Sequence, residues 1–395
     1  METIPFHRPF IGKEEEEAAL RVLRSGWLTT GKEALAFEEE FKDFLHDPSA
    51  QGDLFCLAVN SGTSGLHLAL EALGIGPGDA VFLPSYTFTA TAEVVRYLGA
   101  EVVFVDIAEN SYNMNPIALE KAIKELANTA GELKPKAIIA VHIGGLPCDM
   151  AAINGIAGKY GLSVVEDAAH AFPVRTPEGQ WAGCCSDIGV FSFYATKTIT
   201  TGEGGMVVTR RKDLADRISI MRSHGIDRPV WNRYTDAAAS WYYEVTAPGY
   251  KYNLPDLLAA VGRVQLGRAM DLLSMRCKIA ERYDKAFASL TSLIIFTPGS
   301  AQELHARHLY TVRLKDAENR NTFIESLRKE GIGTSVHFIP LHIMPYYRER
   351  YHLQPEDFPH TYRRFRETVS LPIWPGMTDE QTDRVIEAVK KTICH

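Results

Sequence analysis

From residue 54 onward the chain alternates short, almost unbroken apolar runs with segments of helical periodicity. This alternation restricts the fold more than any other feature. The runs are "LFCLAV" (54–59), "AVFLP" (80–84), "AEVVFVD" (100–106), "KAIIAVH" (136–142), "LSVVED" (162–167) and "IGVFSF" (188–193). They are continuous rather than alternating apolar with polar, as expected of strands covered by helices on both faces. Between them, 64–74 reads as a helix ended by Gly74, 88–98 as a second and roughly 115–127 as a third. Repeated strand–helix order implies a mostly parallel α/β sheet. After "GGMVVT" (204–209) the texture changes. Residues 225–253 are rich in aromatics, Arg and Gly. One long helical pattern then runs from "PDLLAAVGRVQLGRAMDLL" to about residue 290. The strand-like 309–314, a helix near 319–330, "GIGTSVHF" (331–338) and a helix near 378–391 suggest a smaller α+β domain. The predicted division is a large domain over 1–255, with an N-terminal arm at 1–15, and a smaller one over 256–395, meeting at the long helix.

The composition narrows the function classes. With 395 residues, 46% of them hydrophobic, the chain has ample material for a large core. A net charge of −7 argues against non-specific nucleic-acid binding, which needs a basic face. The six cysteines include no CxxC pair, so they fit neither a zinc site nor a small disulfide framework and read as thiols of a reducing cytoplasm. "METIPFHRPF" lacks the charged and apolar regions of a secretory signal. No apolar run approaches the ~20 residues that span a bilayer. The expectation is a soluble cytoplasmic protein with no metal. "KEEEE" (13–17) reads as a solvated first helical turn.

Ligands of open parallel sheets bind beyond the carboxyl ends of the strands, so the residues following each run carry the functional argument. "NSGTSG" (60–65) leads straight into a helix, and its small residues let backbone N–H groups approach an anion. It lacks the Lys of a P-loop and the spacing of a dinucleotide fingerprint, and by itself is an ordinary capped turn. "SYTFTAT" (85–91) offers Phe88, a core residue if taken alone but also a face on which a planar ring can lie. Asp167 ends an apolar strand, as a helix cap or as the partner of a cation. Lys197 stands alone in "SFYATKTITTGEGG" (192–205). Together these residues meet the needs of pyridoxal phosphate. That cofactor requires a lysine amine for a Schiff base and a carboxylate that keeps its pyridine nitrogen protonated. It also requires a phosphate cradle and an aromatic over the ring. Lys197, Asp167, the Gly62–Ser64 loop with Ser192, and Phe88 supply them. Lys197 must lose its proton to act as nucleophile, which burial and nearby positive charge promote.

The order of these motifs resembles the nucleotide-sugar aminotransferases of the DegT/StrS family, with the aspartate aminotransferase fold type. The matching stretches are "SGWLTTG" (25–31), "NSGTSGLHLAL" (60–70), "PSYTFTATA" (84–92), "VVEDAAHA" (164–171), "SFYATKTITTGEGG" (192–205), "GYKYNLPDLLAA" (249–260), "VHFIPLH" (336–342) and "SLPIWP" (370–375). They span nearly the whole chain in the family's order. The resemblance implies a large, mostly parallel seven-stranded sheet domain flanked by helices, plus a smaller α+β domain. It implies that Lys197 forms the imine with pyridoxal phosphate and that Asp167 binds the pyridine nitrogen. Gly62, Thr63, Ser64 and Ser192 would hold the phosphate, and Phe88 would stack on the ring. His170 stands where many members carry Gln near the cofactor's 3-hydroxyl. A direct contact and a satisfied histidine in a polar pocket both remain open.

The resemblance also implies a homodimer whose active sites borrow a loop from the neighbour. Many members read Gly-x-Asn-x-Arg there. Here "GYKYN" (249–253) puts Lys251 in place of that Asn and Asn253 in place of the Arg, and either is a donor to the neighbour's phosphate. For the diphosphate of a sugar nucleotide, the segments holding Thr30, Arg222, His224, Arg228, Arg233, His337 and His342 are candidates, with His337 weighted most. Any one of these has an ordinary surface role as its alternative. The expected reaction moves an amino group from an amino acid, expected to be glutamate, to a keto-sugar nucleotide, in ping-pong fashion through pyridoxamine phosphate. A branch of the family with His at the lysine position performs a sugar dehydration; Lys197 favours transamination over that lyase chemistry. The intact Lys197/Asp167 pair likewise argues against a non-catalytic regulatory relative. The sugar, its nucleotide and the aminated carbon are not legible.

Overall fold

The computed structural model describes residues 2–128, 131, 133–227, 242–295 and 305–393. Each of the six apolar runs forms a strand, and "GGMVVT" adds a seventh: β1 (Phe55–Val59), β2 (Asp79–Pro84), β3 (Glu101–Val105), β4 (Lys134–Val141), β5 (Ser163–Asp167), β6 (Ile188–Ser192) and β7 (Gly205–Thr209). They make one sheet in the order β1-β7-β6-β5-β4-β2-β3. Only β7 runs against the rest, pairing antiparallel with both β1 and β6. The remaining neighbours are parallel. The carboxyl ends of β4, β5 and β6 therefore open on one edge, with Val141 beside Asp167 and Asp167 beside Val190.

Successive side chains of a strand face opposite ways, and both faces here are dry. Val81, Leu83, Ile139, Val165 and Val190 meet α3 (Gly62–Ala72), α4 (Ala90–Tyr97) and α7 (Lys212–Met221). Phe82, Ile138 and Val164 meet α5 (Pro116–Asn128) and α6 (Met150–Tyr160). Phe191 and Met206 meet the phenylalanines of α2 (Lys32–Phe44). The continuous apolar runs are explained by this double cover. Ser61 starts α3 with a capping box closed by Ser64. Gly65 lets α3 lie close on β6: a Cβ there would come within 2.7 Å of Val190. That approach brings the start of α3 beside the end of β6.

The long helical pattern is two helices, α8 (Asp256–Gly267) and α9 (Ala269–Phe287). Arg268 breaks them, with φ −112° and ψ 9°. Gly267 is a poor helix former. Arg268 is drawn aside by Glu15 and by the ring of Phe10, on α1 (Lys13–Ser25) and just before it. The Asp256 carboxylate accepts N–H bonds from Gly31 (2.6 Å) and Ala34 (3.0 Å), capping α2 from a distance. This explains why "SGWLTTG" precedes that helix. Along α9 the core changes. Leu272, Leu273 and Cys277 pack with Phe41 and Phe191. Ile279, Ala280, Tyr283 and Phe287 pack in a separate core with the antiparallel sheet β10-β9-β8. Those strands are β8 (Leu293–Ile295), β9 (Tyr310–Leu314) and β10 (Thr368–Leu371). They are covered by α10 (Arg320–Lys329) and α13 (Asp379–Ile393), with α11 (Pro345–Tyr351) and α12 (Pro359–Glu367) between. The N-terminal segment bridges both cores, Ile4 in the smaller and Phe10 against the larger.

Candidate active site

A cavity of about 460 Å³ opens beyond the carboxyl ends of β4, β5 and β6. Asp167, the last residue of β5, is buried in its wall. Its Oδ2 accepts from the Thr91 hydroxyl (3.0 Å) and its Oδ1 from the Ala169 N–H (3.2 Å). Burial raises its pKa, and those two bonds and the positive Lys197 oppose the rise. Strand alternation sends the preceding Glu166 to the other face of the sheet, where it accepts from the Gly183 and Cys185 N–H groups and meets His142 Nε2 at 3.0 Å. Because His142 Nδ1 accepts from the Cys148 N–H (3.0 Å), Nε2 carries the proton and donates to Glu166. This buried carboxylate is thus satisfied without drawing on Asp167.

Lys197 enters from the loop after β6, half-buried on the cavity wall. Desolvation pulls its pKa down to about 8; Asp167 opposes and the Arg276 guanidinium adds to the fall. An ammonium so placed releases its proton far more readily than one on the surface. At the other end of the cavity lie Ser61, Gly62, Thr63 and Ser192. A Cβ on Gly62 would stand 3.0 Å from Cβ of Ser192, so side chains would fill the space that glycine leaves. The α3 N-terminus aims unpaired N–H groups and positive dipole into that space. This is a cradle for a small anion. Phe88, in the cavity wall, is 57% exposed rather than core, with its ring centroid 5.9 Å from that of Phe338.

The sequence matches the DegT/DnrJ/EryC1/StrS aminotransferase family over residues 9–390. It is 43% identical over 395 residues to the spore coat polysaccharide biosynthesis protein SpsC of Bacillus subtilis (strain 168), covering 99% of this chain and 97% of that one. Among solved structures it superposes on the putative sugar aminotransferase Spr1654 from Streptococcus pneumoniae with a TM-score of 0.87 and 31% identity, covering 99% of this chain and 98% of that one. That protein is known in PMP and PLP forms. Helicobacter pylori PseC, an aminotransferase of pseudoaminic acid biosynthesis, gives 0.87 at 27% identity over 99% of both chains. The chain belongs to the DegT/DnrJ/EryC1/StrS aminotransferase family. It is a pyridoxal-phosphate-dependent aminotransferase of fold type I.

The aminotransferase cavity fits that cofactor on its own terms: a glycine-opened anion cradle at one end, an amine and a buried carboxylate at the other, an aromatic face between. His170 lines it as well, Nδ1 accepting from the Gly144 N–H (3.2 Å). Its Nε2 therefore carries the proton, and burial keeps the ring neutral, its pKa pushed well below the usual value. His337 also lines the cavity, Nδ1 beside the Ser370 hydroxyl (3.0 Å) and ring stacked on Phe6 at 5.1 Å.

Other sequence-predicted residues do not reach this cavity. Ser64 is buried, its hydroxyl donating to Asn60 Oδ1 (2.7 Å) and positioned within the α3 cap, while its neighbour Ser61 lines the site. Arg222 donates to the Ala58 carbonyl (2.8 Å) and pairs with Glu38. His342 is fully buried, Nδ1 beside the Ser85 hydroxyl (3.2 Å) and ring against Phe358. Thr30 donates to the Leu254 carbonyl (2.6 Å) and accepts from Asn253, whose Oδ1 accepts from Lys251 Nζ (2.6 Å). Lys251, Asn253 and Thr30 thus form a polar cluster outside their own chain's cavity. His224 sits in the turn after α7, its N–H bonded to the Tyr250 carbonyl (2.8 Å). Arg228 and Arg233 lie outside the described residues. The sequence reading missed Thr91, Thr196 and His308. Thr91 lay within the quoted "SYTFTAT", but only the fold shows that its hydroxyl meets Asp167. For His308 no local signal exists.

Proposed function

We propose that this aminotransferase moves an amino group from glutamate to a keto-sugar carried on a nucleotide, for cell-surface polysaccharide or a related glycoside. The observation that carries the reading is the convergence of Lys197 and Asp167, from two different strand ends, on one cavity closed at its far end by the Gly62–Ser192 cradle. The sugar is supported by the names of the relatives: SpsC acts in spore coat polysaccharide biosynthesis, and PseC in the biosynthesis of pseudoaminic acid.

Gly62, Thr63 and Ser192, with Ser61, would hold the cofactor's phosphate. Phe88 would cover its ring, and His170 would offer its Nε2 proton to a ring substituent. Asp167 would keep the ring nitrogen protonated. Bound pyridoxal phosphate supplies a cationic ring that stabilises negative charge at the carbon losing its proton. Lys197 Nζ would be the base that takes the proton from the carbon bearing the donor's nitrogen and the acid that gives it back. With a pKa of about 8, roughly a tenth of the amine is neutral at pH 7, against about one part in a thousand or less at the usual lysine value. The same group then works in the opposite sense on the keto-sugar, which suits a pKa near neutrality. His337 faces the cavity mouth as a neutral donor or acceptor for the sugar.

Lys251 and Asn253, being outside their own chain's cavity, serve the phosphate of a second copy in a homodimer. Among the described residues no helix is long and apolar enough to cross a membrane, and the described cysteines are free. Both agree with action in the cytoplasm.

The test is a spectrum and a substrate panel. The purified protein with pyridoxal phosphate should absorb at roughly 400–430 nm, and glutamate should move the band toward roughly 330 nm. Nucleotide-linked 3-keto and 4-keto sugars should restore the first band; free keto-sugars and simple keto acids should not. Restoration by free sugars alone would overturn the nucleotide assignment. Mixing Lys197→Ala with Lys251→Ala/Asn253→Ala chains should recover part of the activity, and no recovery at any ratio would count against sharing between copies.

A further inference from the structure

Arg276, on α9, is the largest fully buried side chain described, at 0% exposure. A buried guanidinium ordinarily takes a carboxylate partner. Among the described residues this one has none. Its Nη1 donates to the carbonyls of Ile373 (3.0 Å), His308 (3.3 Å) and, at the long limit, Arg307 (3.4 Å); its Nη2 donates to the carbonyl of Thr196 (3.3 Å). Those carbonyls belong to three separate segments. Thr196 directly precedes Lys197. His308 lines the cavity, its ring tilted 32° to that of His170 with centroids 4.2 Å apart. Ile373 follows β10 in the smaller sheet's core. Arg307 is held at a left-handed φ of 47°, where a non-glycine residue needs support.

We propose that Arg276 is a positioning residue for transamination: its carbonyl-bound guanidinium clasps the Lys197 loop to the smaller domain and places a lasting positive charge beside the lysine amine. The proposal rests on the reading of Lys197 as the working amine. The titratable groups around Lys197 are Asp167, His7, His170, His308, His337 and Arg276, with Glu203 and Tyr194 in the same cavity wall. Burial keeps all four histidines neutral, with His7 and His337 each pulled down to about 4 and the other two pushed well below the usual histidine value. Asp167 favours the ammonium. Arg276 alone offers a cation at pH 7 to oppose it, since burial brings its own pKa only to about 9. Carbonyls take up its two Nη groups, while its Nε has no partner among the described residues, and they do so without cancelling its charge, as a carboxylate would. That is the physical sense of a buried arginine with no acid.

The experiment follows Lys197 in full-length protein freed of cofactor, by mass spectrometry of the peptide around position 197 after pulse acylation with an amine reagent across pH 6–11. In the wild type the labelling midpoint should lie near 8. In Arg276→Met it should rise by about one unit, giving roughly tenfold slower labelling at pH 7. Arg276→Lys should restore the midpoint while leaving kcat reduced, because a point charge cannot bridge three segments. A folded Arg276→Met protein with an unmoved midpoint overturns the proposal. So does Arg276→Lys behaving like Arg276→Met. Should Arg276→Met not fold, Arg276→Gln, which keeps amide donors and loses the charge, gives the same reading. A wild-type enzyme with this titration but no adduct after borohydride would instead sink the function of Lys197 and leave the electrostatic result standing.

Discussion

The ends of β5 and β6 and the surface around α2 and the 249–253 loop make an instructive pair. Both were rich in polar residues expected at the site. At the strand ends, Asp167, Lys197, Ser192 and the start of α3 converge on one cavity. Around α2, the residues expected to meet substrate are bound to one another: Arg222 to Glu38, Thr30 to Asn253 and the Leu254 carbonyl. The difference is between residues delivered by the sheet and residues delivered by packing of loops on helices. A strand end fixes where its side chain goes, because register with two neighbours fixes the backbone. A loop residue goes wherever its hydrogen bonds are best made.

The sharpest way to break this contrast is at Lys197. Lys197→Ala should lower kcat by roughly 10⁴-fold or more, since on the proposed mechanism it removes both the covalent anchor and the acid–base group. Borohydride should then fix no added mass on the 192–205 peptide. Turnover near the wild-type rate would break the assignment. Lys197→Met also tests the electrostatics without the cofactor. A lysine whose folded pKa is about 8 and whose unfolded value is 10.5 opposes folding while it is protonated. That penalty is full below pH 8 and fades as pH rises toward 10.5. The cofactor-free Met variant should therefore be more stable at pH 7 by about 1–3 kcal/mol, after allowance for the half-buried side chain, and the gain should vanish near pH 10.5. Urea melts at the two pH values decide it.

The sheet was legible because burial on both faces writes itself into composition: each apolar run became a strand within a residue or two of its expected limits. Asp167 and Lys197 were legible because one ends such a run and the other follows one. Arg276 and His308 were not, because they reach the site from α9 and from the turn before β9, roughly 80 and 110 residues beyond Lys197. No local pattern marks a side chain that works through distant carbonyls. The break at Arg268 was missed for a related reason. Its cause is Glu15, some 250 residues earlier, overriding a helical periodicity that runs on without interruption.

Asp167→Asn should keep the fold and some cofactor but lose roughly 10²-fold to 10³-fold in kcat. Asn keeps one oxygen, enough to accept from the Ala169 N–H, turns an NH2 toward the Thr91 hydroxyl, and loses the negative charge that would hold a proton on the ring. KM for the donor should change much less. An equal rise in KM with kcat unmoved would place Asp167 in simple binding. Gly62→Ala is a milder probe of the same region. Its methyl group would meet Ser192 at 3.0 Å and intrude on the anion cradle. The cofactor should bind roughly tenfold more weakly, about 1.4 kcal/mol, with kcat at saturating cofactor nearly unchanged. Equilibrium dialysis against pyridoxal phosphate measures this, and unchanged affinity would move the phosphate elsewhere.

The smallest catalytic effect is expected at Arg222, and it tests the other half of the comparison. Its guanidinium is mostly buried, bonded to Glu38 and to the Ala58 carbonyl on β1. Glu38 also accepts the Ala58 N–H at 2.8 Å, so the pair clamps α2 to the edge strand. Removing the cation leaves Glu38 only partly satisfied in a poorly hydrated position. Arg222→Met should therefore cost about 1–3 kcal/mol of stability, read as a fall in Tm. It should leave kcat and the KM for the sugar substrate within about twofold of wild type. If Tm held and KM rose tenfold instead, Arg222 would be a substrate ligand whose ion pair opens on binding. The loops around α2 would then rank with the strand ends as part of the site.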